Sequence, residues 1–363
     1  MTNVFSPITL RGLTIPNRVW MSPMCTYSAA ADGEHIGQPT DFHLAHYSAR
    51  AAGGAGLVMV EATGVAPEGR ISPFDLGLWS ESQVEAFGRL AGAIRAGGAV
   101  PAVQLAHAGR KASVNPPWLG GNPVNQAAGG WQAMGPSTVE FPGFPAPESL
   151  THGQIADVVS SFAHSARLAN QAGFEVVEIH AAHGYLLHSF LSPVSNLRDD
   201  EYGGSLENRA RLVLAVIDAV RAVWPEGRPV FLRVSTTDWI NENPDDDRRA
   251  WSVEDTVHLA GWAKERGIDL VDASSGGLEP ALIPESRDYQ VDKAAQVRAR
   301  SGVPVAAVGR ISDPEWAAEL IRDDAADAVF IGRALLRDAS WTNNAAAALG
   351  AQPRFLHQYD YAL

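Results

Sequence analysis

Five times along the chain an amphipathic stretch ends in glycine and gives way to a short apolar run. The copies are SARAAGGAGLVMVEA, AIRAGGAVPAVQLAH, ARLANQAGFEVVEIHA, WAKERGIDLVDASSG and VRARSGVPVAAVGR. Glycine closes a helix because it takes the left-handed conformation without a Cβ clash. The apolar runs do not alternate with polar residues, which marks strands buried on both faces, as in a parallel sheet covered by helices. Three further runs bring the predicted strands to eight, at residues 18–21, 57–61, 100–104, 176–180, 230–234, 270–273, 305–308 and 328–331. Eight β-then-α units predict an α/β fold of the (β/α)8 TIM-barrel type. A doubly wound open sheet is the alternative. However, SPMCTYS follows the first strand, and no G-x-G-x-x-G opens a helix there.

The polar segments complete the outline. VFSPITLRGLTIPNRV, ahead of the first strand, reads as a hairpin capping the barrel bottom. Residues 80–83 and 312–315 have the spacing of a capping box, with Pro314 suited to an early helical position. Between the third strand and its helix, residues 113–150 form a long Pro- and Gly-rich insertion holding Trp118, Trp131, Phe141 and Phe144. So long a loop in a compact domain is usually a lid over a site, the alternative being a packed flap. Residues 274–288 form a second long loop at the same end. The tail, residues 351–363, ends in PRFLHQYDYAL, and its aromatics suggest docking rather than disorder.

Composition narrows the partners. The 363 residues are 46% hydrophobic and 19% charged, enough for a large core. With 28 Lys+Arg against 41 Asp+Glu, the net charge of −13 argues against nucleic acid or an anionic membrane as partner. No apolar run is long enough to span a bilayer, and no signal peptide is visible. A cytoplasmic location is therefore expected. The one cysteine, Cys25, leaves no internal disulfide framework or cysteine-ligated cluster.

Polar residues gather at the carboxyl ends of the strands, where a barrel binds ligands. Cys25 and Tyr27 follow the first strand, Ala62 and Thr63 the second, and Gln104 and His107 the third. His180, His183 and Tyr185 follow the fourth. Two imidazoles three residues apart can converge on one acceptor, as an oxyanion clamp beside a phenol that donates a proton. A metal pair would need a third ligand, and H-E-x-x-H is absent. Arg233 is embedded in VFLRVS, where it needs an anion or several acceptors; an internal salt bridge is the alternative. Gln104, in VPAVQLAH, can both donate to and accept from a ring edge. Gly309-Arg310 and Gly332-Arg333, after the last two strands, stand where barrels commonly hold a phosphate. A metal- or Schiff-base-dependent lyase or hydrolase is the competing class. Lysine occurs only at Lys111, Lys264 and Lys293, none in a predicted strand.

The stretches FSPITLRGLTIPNRVWMSPMCTYS, VQLAHAGRKAS, HAAHGYLLHSFLSPVSNLRDDEYGGSLENRARL and VFIGRALLRD resemble the Old Yellow Enzyme family of FMN-dependent ene-reductases, essentially end to end. The HAAH pair with Cys25 and Tyr27 is similar to its thermophilic-like subclass. The resemblance implies a single FMN-binding barrel over residues 1–363. It places Ser22, Pro23, Met24, Cys25 and Ala62 against the flavin ring, with Gln104 and Arg233 on its polar edge. Gly309, Arg310, Gly332 and Arg333 take the phosphate. NADPH or NADH would reduce the flavin, and an activated alkene conjugated to a carbonyl would reoxidise it. The expected catalytic residues are His180, His183, Tyr185 and a redox-tuning Cys25, with Tyr27 and Lys111 at the substrate. A flavin-binding protein without this activity is the remaining alternative. The subclass often ends in Q-Y-x-R, whose Arg reaches a partner's site. Here Gln358-Tyr359-Asp360-Tyr361 stands instead, so a homodimer or homotetramer is expected with Tyr359 or Tyr361 near a neighbouring active site.

Overall fold

The computed structural model describes residues 3–362; Met1, Thr2 and Leu363, the last residue of the expected tail, lie outside the described residues. Eight parallel strands close into a barrel in chain order. They are β1 (Val19–Met21), β2 (Leu57–Gly64), β3 (Val100–Ala106), β4 (Val176–Ala181), β5 (Val230–Ser235), β6 (Leu270–Ser274), β7 (Val305–Val308) and β8 (Ala328–Ile331). Around them lie α1 (Asp41–Ala52), α2 (Val84–Ala96), α3 (His152–Gln171), α4 (Leu206–Val223), α5 (Val253–Glu265), α6 (Val291–Ser301), α7 (Pro314–Arg322) and α8 (Trp341–Ala348). None of the described helices is long and apolar enough to cross a membrane.

The lack of alternation in the strands follows from two apolar shells. Outward positions such as Val58, Val103, Val177 and Ile179 pack under the helices. Inward positions such as Leu57, Met59, Ala102, Phe231 and Phe330 fill the barrel. At its centre Trp20 stacks on Phe231, with ring centroids 5.7 Å apart, and meets Phe330 edge-on at 5.4 Å. The hairpin Ile8–Leu10 with Leu13–Ile15 pairs antiparallel, and Ile8, Leu10 and Ile15 close this inner core from below. The buried polar side chains of Gln104, His180 and Arg233 stand at the upper end of the barrel interior.

Residues 80–83 form the capping box read from the sequence, but residues 312–315 do not. Asp313 caps α7, its carboxylate accepting from Glu315 N at 3.1 Å, because Pro314 occupies the first helical position and moves the cap to the residue before it. Asp313→Ala is expected to cost about 1 kcal/mol of stability, the usual worth of such a cap. Ser312→Ala should cost less in the same chemical denaturation experiment.

The insertion, residues 113–150, carries short strands Met134–Gly135 and Glu148–Ser149. It folds back over the barrel mouth: Trp131 and Phe144 pack into one apolar cluster with Cys25, Tyr27, Ala62 and Tyr185. Trp118, 66% exposed, meets Tyr27 edge-on at 5.6 Å. The tail ends in a 3-10 turn, His357–Ala362, with Tyr359 and Tyr361 52% and 90% exposed.

Candidate active site

A cavity of about 590 Å³ opens at the carboxyl ends of the strands, a size suited to a cofactor. Ser22, Pro23, Met24, Cys25 and Tyr27 reach it from the segment after β1, and Ala62 from β2. Gln104 comes from β3, His180, His183 and Tyr185 from β4 and its loop, and Arg233 from β5. Gly309 and Arg310 after β7, and Gly332 and Arg333 after β8, complete the wall. Thus the structure brings the expected flavin-binding and catalytic residues to one cavity, whereas Lys111 and Thr63 do not line it. His107 also lies outside it, its Nδ1 accepting from Gly109 N at 3.1 Å.

Lys111 is turned into the protein. Its Nζ donates to His183 O and Gly277 O, both at 2.9 Å, and lies 4.6 Å from the Phe141 ring centroid and 5.3 Å from that of Tyr185. Burial, then the Arg110 charge, lowers its pKa to about 8. Lys111 therefore ties the loops after β4 and β6 together and anchors the insertion through Phe141, rather than lining the cavity.

The β4 loop is fixed from several sides. His183 takes a positive φ of 59°, and its N–H donates to Ser235 Oγ at 2.9 Å. Gly184 N donates to His188 Nδ1 at 2.8 Å, and His188 Nε2 lies 3.0 Å from the buried Asp238 carboxylate. His180 Nδ1 accepts from Ala182 N at 3.2 Å, which leaves the ring proton on Nε2. His183 Nε2 lies 2.6 Å from Ser274 Oγ, leaving Nδ1 with no partner among the described residues. The His180 ring stands edge-on to both His183 and Tyr185, with centroids 5.2 and 5.1 Å away. Burial, then the nearby Arg233 charge, holds both imidazoles well below the usual histidine range, so they are neutral. Burial likewise raises the Tyr185 phenol well above its ordinary value, so it keeps its proton.

Burial also raises the Cys25 thiol well above its ordinary value, with the Asp75 and Glu61 charges adding to the effect. A nucleophilic thiolate is thereby disfavoured. Glu61, which the sequence reading passed over, shapes this loop. It accepts from Thr26 N at 3.0 Å, Thr26 Oγ1 at 3.1 Å and Tyr47 Oη at 2.7 Å. Tyr27, next in the chain, is held at a φ of 51°.

The cationic wall differs from expectation in one member. Arg310 donates to Pro284 O and Ser286 O, both at 2.7 Å, and lies over the Tyr289 ring, so its guanidinium braces the second long loop. Arg337 also lines the cavity. It was missed, although it stands four residues after Arg333 on the short helix Arg333–Arg337, where the two share a face. Arg333 and Arg337 have no hydrogen-bond or ion-pair partner among the described residues. Gln104 Nε2 donates to Glu178 Oε1 at 2.8 Å, which leaves its carbonyl oxygen to accept from a ligand. Arg233 is paired only at Nε, 3.1 Å from Asp272. Two unpartnered arginines beside glycine turns, and a guanidinium and amide beside apolar Pro23, Met24 and Ala62, suit a ligand with a phosphate at one end and a flat polar ring at the other. FMN fits that donor set: Arg333 and Arg337 would hold its phosphate, and Gln104 and Arg233 the ring.

Fold and cavity together define an α/β-barrel flavin oxidoreductase. The comparisons agree. Residues 3–352 match the NADH:flavin oxidoreductase / NADH oxidase family, and the chain belongs to that family, which includes the Old Yellow Enzymes and carries FMN. The chain is 44% identical to an NADPH dehydrogenase of Geobacillus thermodenitrificans, over 99% of this chain and 98% of that one. It is 42% identical to an NADPH dehydrogenase of Bacillus licheniformis at the same coverage. Among solved structures, morphinone reductase in complex with tetrahydroNAD is similar with a TM-score of 0.77 and 27% identity, covering 98% of this chain and 93% of that one. An Old Yellow Enzyme homologue from Zymomonas mobilis is similar with a TM-score of 0.76 and 27% identity, covering 97% and 94%.

Arg333→Ala is expected to weaken FMN binding by roughly ten- to a hundredfold, the worth of a charge-assisted hydrogen bond. Fluorescence titration of the apoprotein with FMN measures it.

Proposed function

We propose that the protein is an NADPH-dependent ene-reductase acting on alkenes conjugated to a carbonyl. The observation that carries this reading is the convergence of two neutral imidazoles and a protonated phenol at one wall of the flavin cavity. FMN, which Arg333, Arg337, Gln104 and Arg233 would hold, would supply the hydride chemistry between a reduced nicotinamide and the β-carbon of the alkene. The protein's residues do the rest. His180 Nε2–H and His183 Nδ1–H hold the substrate oxygen and stabilise negative charge as it grows there. Neutrality matters: the ring nitrogens donate without first paying for a buried charge. Tyr185 Oη delivers a proton to the α-carbon. Trp131 and Phe144 pack against the same apolar cluster as Cys25, Tyr27 and Tyr185 at the barrel mouth. Cys25, as a neutral thiol, tunes the ring rather than attacking substrate.

A Schiff-base enzyme would need a lysine in the cavity. Lys264 and Lys293 bond Gly302 O and Glu242 at the surface, and Lys111 faces backbone carbonyls. We also place the enzyme in the cytoplasm as an oligomer, with exposed Tyr359 or Tyr361 contacting a neighbour's site. Ending the chain after His357 should then change oligomer size or KM in light scattering and steady-state assays.

The deciding experiment is an anaerobic visible spectrum. NADPH is added to the yellow protein first and cyclohex-2-enone second. Bleaching followed by recovery with the enone supports both half-reactions. Reoxidation by oxygen alone would overturn the ene-reductase reading and leave a flavin reductase.

A further inference from the structure

Behind the flavin wall lies a layer of buried polar groups, two of which, Glu178 and Asp272, have no role in the reaction described above. In strand register Gln104 stands beside Glu178, and Arg233 beside Asp272, so the layer runs across β3, β4, β5 and β6. Gln104 and Arg233 reach the cavity; Glu178 and Asp272 do not, and both are fully buried. Apolar Val176, Phe231 and Leu270 lie one step further down the same strands. Four atoms of the layer have no hydrogen-bond partner: Glu178 Oε2, Arg233 Nε and both Asp272 carboxylate oxygens. Arg233 Nε is 3.1 Å from Asp272 Oδ2, close enough to pair in charge but not aligned for a hydrogen bond.

The charges do not balance. Two carboxylates share one guanidinium, so the layer carries a net negative charge unless one carboxyl holds a proton. A bare charge so deep in a protein is costly, and the group neutralises instead. Asp272 has the arginine directly; Glu178 has only the Gln104 amide. The remaining group near Glu178 is His180, two residues along β4, and it is neutral. Burial first, then the Asp272 charge, raises Glu178 to about 8, with Arg233 and Gln104 opposing. Burial raises Asp272 less, to about 6, with Arg233 opposing. The proton therefore belongs to Glu178.

We propose that Glu178 sets the charge beneath the flavin, acting through Gln104 and Arg233 without touching the cofactor: its carboxyl holds a proton that it can lose while the flavin is oxidised and regains when the flavin is reduced. The inference rests on the FMN reading above. Two electrons and one proton reach the ring, which then bears one added negative charge. Above the Glu178 pKa, a second proton is taken from solvent onto the carboxylate, so the layer does not stay negative beneath a negative ring. Arg233 can then offer that ring its positive charge.

The test is the midpoint potential of the bound flavin against pH, for the wild-type holoenzyme, Glu178→Gln and Asp272→Asn. The wild-type slope should double above about pH 8, as uptake rises from one proton to two per two electrons. Glu178→Gln should keep the single-proton slope throughout. In Asp272→Asn, removal of the like charge should move the doubling to lower pH. A wild-type slope with no break, or a break that survives in Glu178→Gln, overturns the proposal. If Glu178→Gln does not fold, proton uptake on anaerobic photoreduction of the wild type, read with an indicator dye at pH 6.5 and pH 9, decides alone; equal uptake at both overturns it. Failure of the FMN reading would look different: purified protein that takes up no flavin at all.

Discussion

Replacing His180 and His183 together by alanine should lower kcat/KM for an enone about a thousandfold, since loss of even one oxyanion donor commonly costs 10²–10³. The effect is large because the donors are buried and aimed before substrate arrives. His180 is aimed by Ala182 N, which holds its Nδ1 as an acceptor, and His183 by Ser274 Oγ and by its backbone bond to Ser235. Water cannot take their place at low cost in a site of this depth. FMN should remain bound, because Arg333, Arg337 and Gln104 are untouched. Both imidazoles are held far below the usual histidine range, so wild-type activity should show no acid limb near pH 6.5 from either ring. The measurement is reoxidation of the NADPH-reduced protein, with enone in one syringe and oxygen in another. Enone reoxidation should collapse while oxygen reoxidation persists. Equal rates for variant and wild type with the enone would remove the clamp from the mechanism.

The barrel was readable because its signal is local. An apolar run buried on both faces, and a glycine closing the preceding helix, need no knowledge of the rest of the chain. The cavity wall was readable for a related reason: a polar side chain inside an apolar run, such as Gln104 or Arg233, declares itself. The same argument applied to Glu178 in VVEIHA, Asp272 in LVDAS and Glu61 in LVMVEATG, and there it was not drawn. Their partners, Gln104, Arg233 and Tyr47, are distant in sequence: strand register sets the first two beside Glu178 and Asp272, and the packing of α1 on the barrel brings Tyr47 to Glu61. The orientation of Lys111 was not legible because it depends on backbone carbonyls left without donors. Those belong to His183 and Gly277, both at positive φ, and a sequence shows neither the conformation nor the vacancy. Ala62 enters the cavity where the register between β2 and β3 shifts between Val60 and Thr63, which depends on both strands. Arg337 was within reach of helical spacing alone.

Tyr185→Phe should slow enone reduction by about a hundredfold, toward the lower end of what a positioned general acid contributes, while NADPH bleaches the flavin at its normal rate. Two phenols line the cavity, and the structure separates them. Tyr185 stands edge-on to His180 at 5.1 Å, beside the groups that would hold the substrate oxygen. Tyr27 is engaged edge-on by the exposed Trp118 of the insertion, toward the rim. Both are raised above the ordinary tyrosine range by burial, so each enters the reaction protonated. Tyr185 alone has a cation over its ring, Lys111 Nζ at 5.3 Å from the centroid, which favours the phenolate left behind after the proton has gone. Loss of the hydroxyl removes no hydrogen bond among the described residues, so folding and FMN content should hold. Stopped-flow traces of the two half-reactions, in water and in deuterium oxide, check this. The wild type should show a solvent isotope effect on the enone step that the Phe variant alters. If Tyr185→Phe reduces the enone at the wild-type rate, the proton reaches the α-carbon from water or from Tyr27, and Tyr27→Phe in the same experiment tells those two apart.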